Sequence, residues 1–289
     1  MSLLPLVALI GLISPVQRAA HVERDVPYTQ SADPNQRLDL HVPANSSGFP
    51  TVVFFHGGSL SASGERRNSA MYADVCPALT AAGVACATVD YRLAPAFTWP
   101  SMPEDAAAAF AWVQSNIAGR GGDPSKIFIF GHSSGCQLAA TLGANRKYLA
   151  AHALESGAVA GVIAMGCVLS QTEDVLAGRT VEEVRARWPA DDPVHRTVDS
   201  WLDADPSRFL GSHVPPALVL LAERERFFPA VLEQGAKFAR RLLELGRPAD
   251  VVVVPGGHVS SIRDFGKPDD PALAAVLAFI RDPGRRPPD

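Results

Sequence analysis

The chain has 289 residues, 47% of them hydrophobic, and a formal net charge of −4 from 26 basic and 30 acidic side chains. This length suits one large α/β domain or two small ones, and the composition is ordinary for a globular protein. No long basic run is present, which excludes nucleic acid as the expected partner.

The chain begins with a strongly apolar run at residues 3–13. This run is too short to cross a bilayer, and it fits the apolar region of a secretory signal peptide. No Lys or Arg precedes it, and residues 17–20 make a poor cleavage site. We expect a signal peptide within residues 1–20 and an exported protein. The alternatives are a helix packed on the domain and a cytoplasmic protein. No second apolar segment is long enough to span a membrane, so integral membrane association is not expected.

Apolar periodicity predicts strands and helices that alternate from residue 51 onward. Such alternation is typical of a mostly parallel sheet, here of about eight strands, with helices on both faces. An earlier strand pair predicts an antiparallel edge. We expect one α/β domain over residues 21–289, and within it the polar stretch 167–216 as a lid or cap insertion. The predicted strands are 26–30, 37–42, 51–55, 84–89, 127–130, 159–165, 217–221 and 251–254, and the predicted helices are 71–82, 104–117, 137–144, 230–245 and one near 273–280.

Two glycine-rich motifs follow predicted strands. The sequence G-H-S-S-G at 131–135 stands between a strand and a helix, the context of a nucleophile elbow that exposes Ser133. The sequence H-G-G-S at 56–59 follows another strand, where adjacent glycines let backbone N–H groups face an anion. These motifs predict a serine nucleophile and one wall of an oxyanion hole. The alternatives are an incidental serine in a loop and a plain turn.

A serine nucleophile needs a base and an acidic group that orients the base. Among the eight histidines, only His258 follows a predicted strand in a glycine-loosened loop. His21 and His41 precede the core, His56 and His132 lie within the glycine motifs, and His152, His195 and His213 lie in polar segments away from strand ends. Glu225 is the favoured acid because it lies farther from its strand than Glu223, with Asp264 as a further alternative.

Together these motifs resemble an α/β-hydrolase esterase, close to the hormone-sensitive-lipase-like and the feruloyl-esterase or formamidase groups. The residues that carry the resemblance are H-G-G-S at 56–59, D-Y-R-L-A-P at 90–95, G-D-P at 122–124, G-H-S-S-G at 131–135 and G-H at 257–258. The resemblance implies Ser133 as nucleophile, His258 as base and Glu225 as acid. It also implies an oxyanion hole formed by the N–H groups of Gly58, Ser59 and Ser134. Ser59 replaces the third glycine of the lipase-like group, which blurs the subgroup more than the chemistry.

The expected function is hydrolysis of small or medium acyl esters, with aryl esters included, through an acyl-enzyme. No metal or organic cofactor is implied, and a monomer or homodimer is expected. An amidase or formamidase with the same triad is the first alternative. A ligand-binding protein on a hydrolase scaffold is the second.

Two structural expectations concern residues to which no chemical role is assigned. The four cysteines lack metal-ligand spacing, and three of them are interpreted as small core residues. A disulfide between Cys76 and Cys86 is left open. Asp90 and Arg92 are interpreted as a structural pair that braces the loops.

Overall fold

The computed structural model describes residues 19–285 except 45–46, 171, 173–175, 177, 190 and 226–229. The strands are β1 (His21–Pro27), β2 (Arg37–Val42), β3 (Phe49–Phe55), β4 (Ala85–Val89), β5 (Gly122–His132), β6 (Gly161–Met165), β7 (Ala217–Ala222) and β8 (Ala249–Val254). They form one sheet in the order β1-β2-β4-β3-β5-β6-β7-β8. The β1–β2 and β2–β4 pairs are antiparallel and the other pairs are parallel. The predicted α/β class, mostly parallel sheet and antiparallel edge are confirmed.

The central strands are buried because helices cover both faces of the sheet. Every residue of β4, β6 and β7 is buried, which explains their continuous apolar sequences. The α-helices of the described residues are α1 (Val75–Ala81), α2 (Ser101–Asn116), α3 (Ser134–Ala144), α4 (Arg146–Ala150), α5 (Val181–Arg185), α6 (Val198–Asp203), α7 (Val231–Glu244), α8 (His258–Arg263) and α9 (Pro271–Arg281). The main helices of one face are α2, α3 and α7, whereas α1 and α9 pack on the other.

The segment between β6 and β7, residues 167–216, is here called the β6–β7 insertion. It contains α5 and α6, and their apolar side chains form a small cluster of Val184, Val198, Trp201 and Leu202. Asp203 fixes the insertion to the rest of the domain, since its carboxylate accepts hydrogen bonds from Trp99 Nε1 at 2.8 Å and Asn145 Nδ2 at 3.1 Å. The insertion is therefore attached to the loop before α2 and to the end of α3.

All four cysteines form disulfides. Cys76–Cys86 joins α1 to β4, in agreement with the pairing left open by the sequence. Cys136–Cys167 joins α3 to the first residue of the β6–β7 insertion, and the sequence did not predict it. Each cysteine is at most 5% exposed. Because a reduced core cysteine and a buried half-cystine both have apolar neighbours in the sequence, the sequence pattern does not distinguish them.

The predicted Asp90–Arg92 pair is wrong. Asp90 pairs with Arg67 and has His56 Nε2 at 3.4 Å. Arg92 instead binds Asp105 on α2, with Nη2 donating to Oδ1 at 2.7 Å and Nε to Oδ2 at 2.8 Å. Each of the two residues therefore pairs with an oppositely charged side chain from another segment of the chain.

Most of the predicted signal peptide at residues 1–20 lies outside the described residues. Within the part of the chain that is described, no helix is both long and apolar enough to cross a membrane.

Candidate active site

Ser133 stands at the turn between β5 and α3. Its backbone has φ 54° and ψ −127°, a conformation that is rare for a residue with a side chain. A Cβ atom on Gly131 would collide with the carbonyl of Gly135, and one on Gly135 would collide with the carbonyl of Phe55. The glycines of the motif are therefore required by the close contact of this turn with β3 and α3.

The structure brings Ser133, His258 and Glu225 into direct contact. His258 Nε2 lies 3.0 Å from Ser133 Oγ, and His258 Nδ1 lies 2.8 Å from Glu225 Oε2. The Glu225 side chain is fully buried and that of His258 is 8% exposed. The three residues follow β5, β7 and β8, so the parallel strands place them at one edge of the sheet. His258 begins the short helix α8, which the sequence did not predict.

The two alternative acids occupy different surroundings. Glu223 is exposed. The Asp264 side chain is 43% exposed and pairs with Lys267 at 2.6 Å and Arg263 at 3.4 Å. Of the three carboxylates considered from the sequence, Glu225 is the one that is buried against His258.

The H-G-G-S loop leaves β3 in an unusual conformation. Gly58, Ser59 and Leu60 all have positive φ, at 112°, 57° and 54°. The Leu60 N–H donates to Ser134 Oγ at 3.3 Å, which ties this loop to the start of α3. Turns with left-handed residues form concavities of backbone N–H groups that bind anions. Ser59 and Ser134 border the same cavity as Ser133, and Gly58 directly precedes Ser59.

The cavity at Ser133 has a volume of about 260 Å³. Its apolar wall comes from Leu60, Val168, Val194 and the half-cystine Cys167, and its polar wall includes Gln137. The β6–β7 insertion thus supplies part of the cavity wall.

His195 and Asp192 also line this cavity. From the sequence alone His195 is not a candidate base, because it lies away from strand ends, yet the structure brings it to the cavity. Burial lowers the pKa of His195, although the nearby Asp192 carboxylate acts in the opposite direction. His195 Nε2 is buried and finds no hydrogen-bond partner among the described residues. Residues 192–195 come to the cavity through folding of the whole insertion, and no local motif marks them.

No group of three or more His, Cys, Asp or Glu side chains suited to a metal ion occurs within the described ranges. The expected absence of a cofactor stays a prediction.

Comparison with known proteins identifies the family. A family model described as an alpha/beta hydrolase fold matches residues 52–260, and the chain belongs to this family. The chain has 28% identity to a probable carboxylesterase 13 of Arabidopsis thaliana, over 84% of this chain and 82% of the relative. It has 31% identity to the esterase LipC of Mycobacterium tuberculosis, over 86% of this chain and 62% of that protein.

A further relative matches only in part. A probable isoprenylcysteine alpha-carbonyl methylesterase of Oryza sativa is 36% identical over 42% of this chain, and the match spans 28% of that relative's length. By these named relatives, the chain is similar to carboxylesterases, which are a class of serine hydrolases.

Solved structures share the fold. A truncated carbohydrate esterase from gut microbiota has a TM-score of 0.72 at 19% identity, covering 92% of this chain and 97% of the other. The carboxylesterase EstE1 from a metagenomic library has a TM-score of 0.70 at 23% identity, covering 93% and 91%. At these identities the likeness defines the α/β-hydrolase fold.

Proposed function

We propose that the protein is a carboxylic ester hydrolase with Ser133 as nucleophile, His258 as general base and Glu225 as the acid that orients the base. The observation that carries the proposal is the unbroken contact from Ser133 Oγ through the His258 imidazole to the buried Glu225 carboxylate. Nucleophile, base and orienting acid within hydrogen-bond reach are the signature of an activated serine. The carboxylesterase names of the relatives support the same class.

The reaction proceeds through an acyl-enzyme. Ser133 Oγ attacks the ester carbonyl while His258 Nε2 takes the hydroxyl proton, and Glu225 holds the Nδ1–H and stabilises the imidazolium. The N–H groups of Gly58, Ser59 and Ser134 stabilise the oxyanion of the tetrahedral intermediate. His258 then gives its proton to the leaving alcohol. In the second half, His258 takes a proton from water and the hydroxide attacks the acyl carbonyl. His258 then returns that proton to Ser133 Oγ as the ester bond to Ser133 breaks and the acid leaves.

The cavity supports small or medium acyl groups and compact aryl groups. Its volume of about 260 Å³ falls below the range of pockets that hold drug-sized ligands. Leu60, Val168 and Val194 give it an apolar wall for an acyl chain. The β6–β7 insertion is the proposed lid, since it supplies part of this wall.

A fluorophosphonate probe tests the proposal, because it reacts with activated serines. We expect labelling of the wild type at Ser133, mapped by peptide mass spectrometry, and none of a folded Ser133→Ala variant. Ester turnover falls at least about 10³-fold in that variant, since the nucleophile is lost. A folded wild type that takes no label contradicts the proposal. A panel of esters, anilides and N-formyl substrates then separates an esterase from an amidase or formamidase.

Two further expectations accompany this function. Export is supported by the two disulfides, since such bonds persist in oxidising compartments and are rare in the cytosol. Fractionation of the native host, with thiol alkylation of the recovered protein, tests this. Recovery in the cytosolic fraction with free thiols contradicts it.

The sequence leads us to expect a monomer or a homodimer. Light scattering on the protein as it elutes from a size-exclusion column tests this expectation.

A further inference from the structure

Two buried side chains that the proposed mechanism does not use lie between the three loops that carry it. Tyr72 ends a 3₁₀ turn at Ala70–Tyr72 and is 4% exposed, and His132 ends β5 and is 1% exposed. The Tyr72 ring packs on Phe54 of β3, with centroids 5.4 Å apart. The position of both residues is therefore set by the core below the active site.

Hydrogen bonds connect these two residues to both neighbouring loops. The Gly57 N–H donates to the Tyr72 hydroxyl at 2.8 Å, and that hydroxyl lies 3.2 Å from His132 Nδ1. On the other side of the ring, His132 Nε2 lies 2.9 Å from the main-chain carbonyl oxygen of His258. The chain of bonds thus runs from the oxyanion loop to the loop of the proposed base.

The direction of each bond follows from which groups are able to donate. The carbonyl of His258 only accepts, so His132 Nε2 carries the proton. A neutral imidazole then has an unprotonated Nδ1, which accepts the hydrogen of the Tyr72 hydroxyl. That hydroxyl is left with its lone pairs for the Gly57 N–H. All donors and acceptors along the chain are therefore satisfied in one arrangement.

We propose that Tyr72 and His132 are positioning residues that hold the oxyanion loop and the His258 loop in register with Ser133. The inference rests on the proposed function, because it assigns the two residues to the geometry of that same site. Gly57 precedes the oxyanion donor Gly58, and His132 precedes the nucleophile. Each hydrogen bond therefore acts one residue away from a group that reacts or stabilises charge.

Burial keeps this arrangement in one protonation state. It lowers the pKa of His132 to about 3, with a smaller contribution from His258. Burial also raises the pKa of the Tyr72 hydroxyl. Both residues stay neutral around pH 7, so the proton on His132 Nε2 is retained.

The packing around Gly57 leaves little room for the loop to shift. A Cβ atom at Gly57 would lie 2.7 Å from the Tyr72 hydroxyl oxygen and 2.9 Å from Ser133 Cβ. Loss of the hydroxyl therefore leaves the buried Gly57 N–H without its partner beside the nucleophile. A displacement of about 1 Å in a catalytic group lowers rates by roughly 10²-fold.

The test uses Tyr72→Phe, which removes the hydroxyl and keeps the ring on Phe54. We expect kcat for a small ester to fall about 10- to 100-fold with KM within about twofold, because the loop acts on the transition state. A boronic acid inhibitor, which mimics the tetrahedral intermediate, loses affinity by a similar factor. The matched control is Tyr28→Phe, since Tyr28 is 6% exposed and donates to the Asp90 carbonyl at 2.8 Å.

A second variant keeps the test informative if Tyr72→Phe folds poorly. His132→Gln places an amide donor within reach of the His258 carbonyl and loses the acceptor for Tyr72. It should recover more of the wild-type kcat than His132→Ala does.

The outcomes separate this inference from the proposed function. The inference is overturned if Tyr72→Phe and Tyr28→Phe lose similar stability and neither variant loses kcat or inhibitor affinity. In that case Tyr72 and His132 have only a structural role. A wild type that is unreactive toward fluorophosphonate overturns both proposals. A reactive wild type with unaffected variants overturns this one alone.

Discussion

The Glu225 carboxylate contacts His258 from a fully buried position, with Oε2 at 2.8 Å from Nδ1. In Glu225→Gln the side-chain shape is kept, but the amide brings no negative charge to stabilise the imidazolium and no longer enforces the Nδ1–H tautomer. In a serine triad, loss of the carboxylate that orients the histidine lowers kcat by roughly 10³- to 10⁴-fold. We expect a decrease of this order for ester hydrolysis, measured by steady-state kinetics on a variant whose circular dichroism matches the wild type.

Glu223→Gln is the matched control, because Glu223 leaves the same strand two residues earlier and is exposed. Its kcat should stay within about twofold of the wild type, since a change at an exposed carboxylate outside the contact alters little. If the large loss falls on Glu223→Gln or Asp264→Asn instead, Glu225 is not the orienting acid.

The sequence predicts the residues of the site to different degrees. Ser133 and His258 are marked by glycine motifs after strands, which are local signals. Glu223 and Glu225 differ only in their distance from the strand, and the turn that aims Glu225 inward closes with a hydrogen bond from its N–H to the Ala222 carbonyl at 3.2 Å. His195 has no local signal, because its place at the cavity depends on how the entire β6–β7 insertion packs.

At the scale of elements, the Cys136–Cys167 disulfide joins α3, the helix that follows Ser133, to the cavity wall. Its sequence separation is 31 residues, against 10 for Cys76–Cys86. Chain entropy predicts stabilisation of about 4 kcal/mol for the longer loop and about 3 kcal/mol for the shorter. Cys167 also lines the cavity, whereas Cys76 and Cys86 lie on the other face of the sheet.

We therefore expect removal of Cys136–Cys167 to raise KM as well as to lower the free energy of unfolding by about 2–5 kcal/mol. Urea unfolding and ester kinetics on the Cys136→Ala/Cys167→Ala variant measure the two effects. The control is Cys76→Ala/Cys86→Ala, which should lose stability and keep KM. Equal KM values for all three proteins would show that the disulfide does not hold the cavity wall.

The strands were predicted more accurately than the connections between them. Buried strands such as β7 are continuous apolar runs, and their sequence alone identifies them. Strand β1 was predicted at 26–30 but lies at His21–Pro27, because it is an edge strand with mostly exposed side chains and no apolar pattern. The Cys136–Cys167 pairing and the Arg92–Asp105 contact join segments that are distant in sequence, so composition and spacing do not reveal them.

At the scale of the whole molecule, a cluster of charged side chains connects the β1–β2 edge of the sheet to the start of the H-G-G-S loop. Arg67 pairs with Asp25, Asp39 and Asp90, and Asp90 lies 3.4 Å from the buried His56 that begins the oxyanion motif. Burial alone would raise the pKa of Asp90, but the contacts with His56 and Arg67 bring it below its ordinary value. This carboxylate therefore contributes stability above about pH 4, and the contribution is lost as the pH falls through the lowered pKa.

His132 makes a separate contribution to the pH dependence of stability. Its pKa falls from 6.5 to about 3 on folding because the ring is buried. The unfolded chain therefore binds more protons than the native protein between these values, and stability decreases as the pH falls from about 6.5 toward 3. The slope from this one group approaches about 1.4 kcal/mol per pH unit. Burial lowers the pKa of His41 and His195 as well, which adds to the same slope.

Urea unfolding from pH 7 to pH 5.5 tests the histidine contribution, because carboxylates with lowered pKa values begin to respond only below about pH 5. We expect the free energy of unfolding of the wild type to fall steadily over these pH values. His132→Gln, although less stable at pH 7, should show a shallower dependence, smaller by about one proton or 1.4 kcal/mol per pH unit. Parallel curves for the two proteins would mean that His132 is protonated equally in the native and unfolded states. In that case the native ring would gain a proton on Nδ1 as the pH falls below about 6.5, and Nδ1 would then no longer accept the hydrogen of the Tyr72 hydroxyl.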